Sequence, residues 1–223
     1  MLKDKNRKVE LKISGDGSHT LYVPELEEHY HSVNGAINES MHVFIEAGLK
    51  QCQKDTISVL EIGLGTGLNA YLTLRNKSDK SIQYHALEKY PVSEELANEL
   101  NFVPEDDKNG QVQFHRIHHL PWNKMELLMD GFSLHKQETD LLSVVFNATY
   151  DLVYFDAFAP EKQPEMWSDE IFRKIYEAMN NGGILTTYCA KGVIRRRLQA
   201  CGFIVERLPG PKGKREMIRA TKQ

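Results

Sequence analysis

The 223-residue chain has few cysteines, no long apolar run and no repeat, and each shortage removes a class of protein. Its three cysteines, Cys52, Cys189 and Cys201, are odd in number and form no C-x-x-C pair, which argues against a disulfide framework or a zinc knuckle. The opening "MLKDKNRKVELK" is charged and lacks the apolar core of a secretory signal. No apolar run approaches the roughly 20 residues of a membrane span. A soluble, cytoplasmic protein with no membrane partner is expected. What the chain does have is an ordinary globular composition, 41% hydrophobic and 26% charged, and an uneven charge distribution. From Ala190 to Gln223 ten Lys and Arg face only Glu206 and Glu216, a net +8, so the other 189 residues carry −11 beneath the overall −3. Such segregation fits a local anionic partner, and equally a solvated helix face with a charged tail.

Residues 1–35 read as short strands and turns ("KVELKI", "HTLYV"), followed by a helix in "AINESMHVFIEAGL" that stops at Gly48. From Thr56 strands and helices alternate. "ISVLEIG", "IQYHALE", "VQFHRI", "YDLVYFD" and "GILTTYC" are the expected strands, and "FIVERL" and "REMIRA" a closing antiparallel hairpin. Ser93 and Ser168 are placed to cap the helices that follow them. Residues 123–149 are expected to form an irregular insertion. The pattern predicts an α/β fold of doubly wound, Rossmann-like type. Its sheet would be seven-stranded and mostly parallel with an antiparallel final strand. Residues 1–50 would form an extension packed on a catalytic domain at 51–223.

"LEIGLGTGLNA" sits at the first strand-to-helix turn, where such sheets bind ligands. Gly63, Gly65 and Gly67 allow a tight turn and close backbone approach. A dinucleotide fingerprint would need glycine at 68, where Leu68 stands. Glu61 precedes the loop and would repel a pyrophosphate while suiting a cationic ligand. Glu88, 21 residues past Gly67 at the end of the second strand, is placed to accept both hydroxyls of a ribose. Glycine loop and two acids together fit S-adenosylmethionine. A strand-end cap is the plainer role for Glu88.

Asp156 ends the strand "YDLVYFD", next to the first strand in this topology. A sulfonium methyl needs a nucleophile held in line, and an amine nucleophile must first lose its proton. Asp156 is the candidate acid that attracts, orients and deprotonates it, against the simpler role of capping the next turn. Phe158, Pro160, Lys162, Met166 and Trp167 follow as the expected wall of an acceptor pocket. For Trp167 alone a place in the core is the stronger reading.

"LEIGLGTGLN", "LEKYP", "FDAFAPEKQPEMWS", "GGILTTYCAKGVIRRRLQACGF" and "GPKGKREM" resemble the methyltransferase family of 5-methylaminomethyl-2-thiouridine synthesis, the MnmC methyltransferase domain and its stand-alone MnmD form. The resemblance implies methyl transfer from S-adenosylmethionine to the aminomethyl nitrogen of wobble uridine 34 in tRNA. Carried across by motif, Asp156 is the acceptor-side acid, and Glu61, Gly63, Gly65, Gly67, Asn69, Glu88 and Lys89 hold the cofactor. "HYHSVNGAINESMHVF" brings Tyr30, Ser32 and Glu39 to the site's border. Many relatives continue into a flavin-dependent oxidase, whereas this sequence has no second glycine motif. Methylation alone, of tRNA prepared by separate upstream enzymes, is therefore expected. Relatives also carry an acid after the third strand that bonds the adenine amine, a position that reads His115-Arg116 here.

The resemblance also gives the basic cluster a role. Arg195, Lys214 and Arg215, with Arg196, Arg197 and Lys212, would meet anticodon-stem phosphates. His115, His118 and His119 lack a spaced carboxylate or cysteine, so no metal is expected. A small-amine N-methyltransferase, a nicotinamide-dependent oxidoreductase and a non-enzymatic tRNA-binding module are the competing functions.

Overall fold

The computed structural model describes residues 7–223. The expected extension therefore begins, for residues 1–6, outside the described residues. Two sheets organise the chain. A small antiparallel one, in order β1-β2-β3, uses Glu10–Ile13, His19–Val23 and Glu28–His29. It leads into helix α1 (Ala36–Ser40), which loosens into a π-helical turn over Met41–Glu46. Val43, Phe44 and Ile45 of that turn are buried, and their apolar surface fastens the extension to the main sheet.

The main sheet has eight strands in the order β10-β11-β9-β8-β4-β5-β7-β6. Strand β4 is Thr56–Ile62, β5 Ser81–Glu88, β6 Lys124–Met129, β7 Phe132–Glu138, β8 Tyr150–Phe155, β9 Met179–Thr187, β10 Phe203–Pro209 and β11 Glu216–Lys222. Strands β7, β5, β4, β8 and β9 run parallel, while β6, β11 and β10 pair antiparallel at the two ends. Helices α2 (Leu68–Asn76), α3 (Glu94–Asn98), α4 (Lys108–His119), α5 (Asp169–Glu177) and α6 (Gly192–Ala200) complete the fold. Alternation along the central strands builds two cores. Ile57, Val59, Leu152 and Tyr154 face the α2 and α4 side; Leu60, Ile62, Val153 and Phe155 face α5 and α6. Ser93 and Ser168 cap α3 and α5, accepting from the backbone N–H groups of Leu96 and Ile171.

Two expectations are corrected. "VQFHRI" is not a strand but the middle of α4. Its apparent alternation fails because Val112 is 64% exposed while Phe114 and Ile117 are buried, a helical spacing. The Asp107 carboxylate caps this helix by accepting from Gly110 N at 2.8 Å. Residues 123–149 are irregular only from 139 to 149: before that, β6 and β7 form a hairpin turning at Asp130-Gly131, with Gly131 at φ 68°. Asp-Gly between alternating residues is a strong hairpin signal. A lysine at an inward position masked it. Lys136 is buried in β7, where its ammonium donates to the carbonyl of His118 at 2.6 Å and lies over the Trp122 ring. The sheet thus gains an eighth strand. Among the described residues, no helix is long and apolar enough to cross a membrane.

Candidate active site

The carboxyl ends of the parallel strands open into a cavity of about 380 Å³. Its floor begins with the turn from β4 to α2. Gly63, Gly65 and Gly67 all adopt positive φ, at 88°, 52° and 74°. A Cβ on Gly65 would sit 2.9 Å from the Tyr30 ring, and one on Gly63 would sit 3.0 Å from the Asp156 carbonyl. The backbone is therefore bare where the cavity needs it to be. Glu88, at the end of β5, accepts from Gly65 N at 2.9 Å through one carboxylate oxygen and from Tyr90 N at 2.7 Å through the other. It fixes the loop and still lines the cavity.

Asp140 follows β7 and also lines the cavity, accepting from Leu142 N at 3.0 Å and pairing with Lys89 at 2.8 Å. The hydrogen bond to Asp140, ahead of that residue's charge, raises the Lys89 pKa. With α4 a helix, β7 is the third parallel strand, and the residue that follows it into the cavity is Asp140, not His115-Arg116. His115 bonds Asn98 and His119 pairs with Glu94, both away from the cavity; His118 is buried against the Thr66 carbonyl under Gly67. Among the described residues no group of three or more His, Cys, Asp and Glu is gathered for a metal ion.

Asp156 stands at the end of β8, where its N–H donates to the Ile62 carbonyl at 3.1 Å. It is half-buried on the cavity lining, and its carboxylate accepts from Asn69 Nδ2 at 2.8 Å. Burial first, then the nearby Glu39 carboxylate, raise its pKa from 3.8 to about 7; Asn69 and Lys214 oppose the shift. A carboxyl poised there exchanges a proton near neutrality.

The far wall comes from three distant stretches. Tyr30 meets the Phe158 ring edge-on at 5.1 Å, and His31 reaches Thr66 Oγ1 of the glycine loop at 2.7 Å. Burial lowers the His31 pKa to about 4, which keeps it neutral. Ser32 N donates to Glu39 at 2.8 Å, and Glu39 is ion-paired with Lys214 from the β10–β11 loop. The Lys214 ammonium lies 3.9 Å from the centroid of Tyr188, whose hydroxyl donates to the Ala157 carbonyl at 2.8 Å. Met166 and Gln163 close the side next to Ala157 and Phe158.

Of the residues picked out from sequence, the cavity gathers Tyr30, Ser32, Glu39, Gly63, Gly65, Glu88, Lys89, Asp156, Phe158, Met166 and Lys214. Gly67 and Asn69 support it from behind. Trp167 is fully buried and donates from Nε1 to the Phe158 carbonyl at 2.8 Å, so it sets the wall without being part of it. Pro160 lies off the cavity, Lys162 pairs with Glu27, and Arg195 and Arg215 sit outside. Glu61 is the main correction. Its neighbours in the sheet are Ala86 and Tyr154, its side chain is 0% exposed, and it does not reach the cleft that Glu88 and Asp156 share. Sequence reasoning missed Asp140, Tyr90, Gln163, His31 and Tyr188. Asp140 was within reach through the Asp130-Gly131 turn; the others carry no local signal.

The arrangement fits a cofactor that presents a ribose and a planar base without a pyrophosphate: a bare glycine turn, two carboxylates at successive strand ends, and a half-apolar cavity. A family model described as S-adenosyl-L-methionine-dependent methyltransferase matches residues 119–223. The chain is 31% identical over 223 residues to the tRNA 5-methylaminomethyl-2-thiouridine biosynthesis bifunctional protein MnmC of Cupriavidus metallidurans, covering 92% of this chain and 32% of that protein. Its counterpart in Campylobacter hominis is 31% identical over 213 residues, 90% of this chain and 31% of that one. The chain thus spans about a third of the length of these relatives. The crystal structure of MNMC2 from Aquifex aeolicus superposes with a TM-score of 0.81 at 25% identity, covering 97% of this chain and 71% of that one. The cofactor is S-adenosylmethionine, and the chain is similar over residues 119–223 to S-adenosyl-L-methionine-dependent methyltransferases and over most of its length to the matched third of MnmC.

Proposed function

We propose that the protein methylates the aminomethyl nitrogen of 5-aminomethyl-(2-thio)uridine at the wobble position of tRNA, giving 5-methylaminomethyl-(2-thio)uridine. The observation that carries the reading is Asp156, a carboxyl at the meeting point of the glycine turn and an aromatic pocket, with a pKa of about 7. The tRNA and its modified uridine come from the relatives' names. S-adenosylmethionine supplies an electrophilic methyl group on a sulfonium. Gly63 and Gly65 would admit it to the backbone, Glu88 would accept from its ribose hydroxyls, and Asp140, held by Lys89, would accept from its adenine amine. Asp156 binds the substrate ammonium, turns it and takes its proton, which frees the nitrogen lone pair to attack the methyl group that the cofactor would supply. Tyr30 and Phe158 present ring faces for an unstacked base.

The neighbouring basic surface would meet the tRNA backbone. Of the ten cations from Ala190 onward, six are engaged: Lys191 with Glu161, Arg197 with Asp169, Arg207 with Glu216, Lys214 with Glu39, Arg219 with Glu206, and Lys222 with the carbonyls of Tyr176 and Met179. Arg196, Lys212 and Arg215 are exposed with no polar partner among the described residues and are free for phosphates, whereas Arg195 is half-buried with its Nε shielded from solvent. The reading requires a tRNA that already carries the aminomethyl group. Mass analysis of wobble nucleosides tests the whole reading, after incubating the pure protein and S-adenosylmethionine with tRNA bearing the aminomethyl group. A gain of one methyl on that nucleoside is expected; an unchanged nucleoside beside a methylated small amine would replace the reading.

A further inference from the structure

Beneath the cavity floor lie three buried polar groups that close no hydrogen bond: both carboxyl oxygens of Glu61, the Oδ1 of Asn69 and the hydroxyl of Tyr84. Glu61 is 0% exposed, Asn69 2% and Tyr84 0%. A buried carboxylate left without partners costs several kcal/mol, and three orphaned groups in one place are rare in a native core. They are neighbours: Asn69 and Tyr84 are the two side chains that approach Glu61 as hydrogen-bonding groups. Asn69 already has one fixed commitment, since its Nδ2 donates to Asp156 Oδ2 at 2.8 Å. Its backbone is held as well, with the carbonyl accepting from Thr73 Oγ1 at 2.7 Å.

The donor and acceptor count closes when Glu61 is neutral. A protonated Glu61 donates its O–H to Asn69 Oδ1 and accepts from the Tyr84 hydroxyl, while Asn69 keeps its N–H on Asp156. An ionised Glu61 would offer Asn69 Oδ1 no donor and would face Asp156 and Glu88 as a third anion. We infer that Glu61 is a neutral positioning residue, whose carboxyl O–H locks the Asn69 amide in the one orientation that presents N–H to Asp156. Burial first, and then the charge of Asp156, push the Glu61 pKa well up, toward the neutral form, although Tyr84 and Asn69 oppose the shift. The groups that bear on Asp156 from the other elements are Glu39, Lys214 and the Tyr188 hydroxyl. None of them substitutes for the Asn69 N–H from below. The chain Tyr84–Glu61–Asn69–Asp156 thus sets both the direction and the proton affinity of the proposed base.

The inference rests on the proposed role of Asp156 for its kinetic arm, and its other two arms do not. In the full-length protein, the Asp156 side-chain carboxyl is titrated by 13C NMR, and S-adenosylmethionine affinity is measured by calorimetry, for wild type, Glu61→Gln and Glu61→Leu. Gln keeps an N–H donor for Asn69 and an acceptor for Tyr84. It is expected to leave cofactor affinity within about twofold and the Asp156 titration near wild type, and to retain most of kcat. Leu removes the lock: the Asp156 titration should move up by about half to one pH unit, and kcat should fall by about 10- to 100-fold with KM for tRNA unchanged. In an Asn69→Ala background Glu61→Leu should shift the Asp156 titration no further. Should Leu not fold, Glu61→Met replaces it. A tenfold or greater loss of cofactor affinity in Glu61→Gln would overturn the inference in favour of an ionised cofactor ligand. Equal titration curves in all variants would overturn it in favour of a filler of the core. A wild-type protein inert on aminomethyl tRNA would sink the proposed function and leave these two readouts standing.

Discussion

The two halves of the cavity are built in different ways. The glycine-turn half is made of backbone and strand ends, nearly all from the stretch 56–90 with Asp140 added from the end of β7, and each carboxylate oxygen of Glu88 is fixed by a backbone N–H. The acceptor half is made of side chains from residues 30–39, 156–166 and 188–214, tied by an ion pair, a cation over a ring and ring edges. A half made of backbone is preorganised by the sheet and tolerates little change in shape. A half made of side chains takes its electrostatics from three segments at once, and each can be altered alone. The first suits a ligand that is always the same, and the second suits a reaction whose proton must move.

That contrast is tested most sharply where the halves meet. Asp156→Ala is expected to lower kcat by about 10²- to 10⁴-fold, the range for loss of a general base, while calorimetry finds S-adenosylmethionine affinity nearly unchanged. Equal loss in both would move Asp156 into the cofactor's half. Glu88→Ala should do the reverse: cofactor Kd should rise by about 10- to 100-fold, since a charged acceptor and the anchor of Gly65 are removed together. Unchanged affinity would refute the ribose assignment. Gly65→Ala should act in the same direction, because φ of 52° and a Cβ 2.9 Å from Tyr30 cannot both be kept.

The contrast also explains what could be read from the chain alone. The local half was legible: three glycines, Leu68 and Glu88 within 26 residues carry a pattern that the turn itself imposes. Strand-end Asp156 was legible because an apolar run has no other reason to stop on an acid. Glu61 was misplaced because sequence gives order along a strand but not which face an end residue takes. Strand pleat turns Glu61 down toward Tyr84 and Asn69. The Glu39–Lys214 pair spans 175 positions and has no local trace. Asp140 was lost with β7, whose buried Lys136 broke the alternation that would have revealed it.

A pH experiment sharpens the acceptor half, with smaller effects. The proposed base is active when ionised, so kcat should rise as pH climbs through about 7. Glu39 raises the Asp156 pKa and Lys214 lowers it, so Glu39→Gln should move that limb down and Lys214→Met up, each by about half to one unit. Shifts of the same sign would mean that the pair acts through folding and not through charge. Stability carries a matching sign. The folded pKa of Asp156 lies above its unfolded value of 3.8, so the wild type loses stability as pH rises from about 4 to about 7. Asp156→Asn should abolish that loss and melt above wild type at pH 8, with the two converging below pH 4, as thermal unfolding across pH would record.

The smallest effect belongs to the surface outside both halves. Lys212 and Arg215 are exposed on the β10–β11 loop, the same loop that sends Lys214 into the cavity. If they meet phosphates, each contact releases about 0.7 to 0.9 of a counterion. The Lys212→Ala, Arg215→Ala double variant should then raise the tRNA KM a few-fold at physiological salt, and flatten the slope of log KM against log salt by about 1.5. Its kcat should hold, because neither side chain reaches Asp156. Lys214→Met should leave that salt slope alone while moving the pH limb, since its charge is spent on Glu39 and Tyr188. Three positions of one loop, 212, 214 and 215, thus divide between two kinds of electrostatics, one screened by salt and one sheltered from it. A salt slope that responds to Lys214→Met as strongly as to the double variant would erase the division between cavity wall and outer surface.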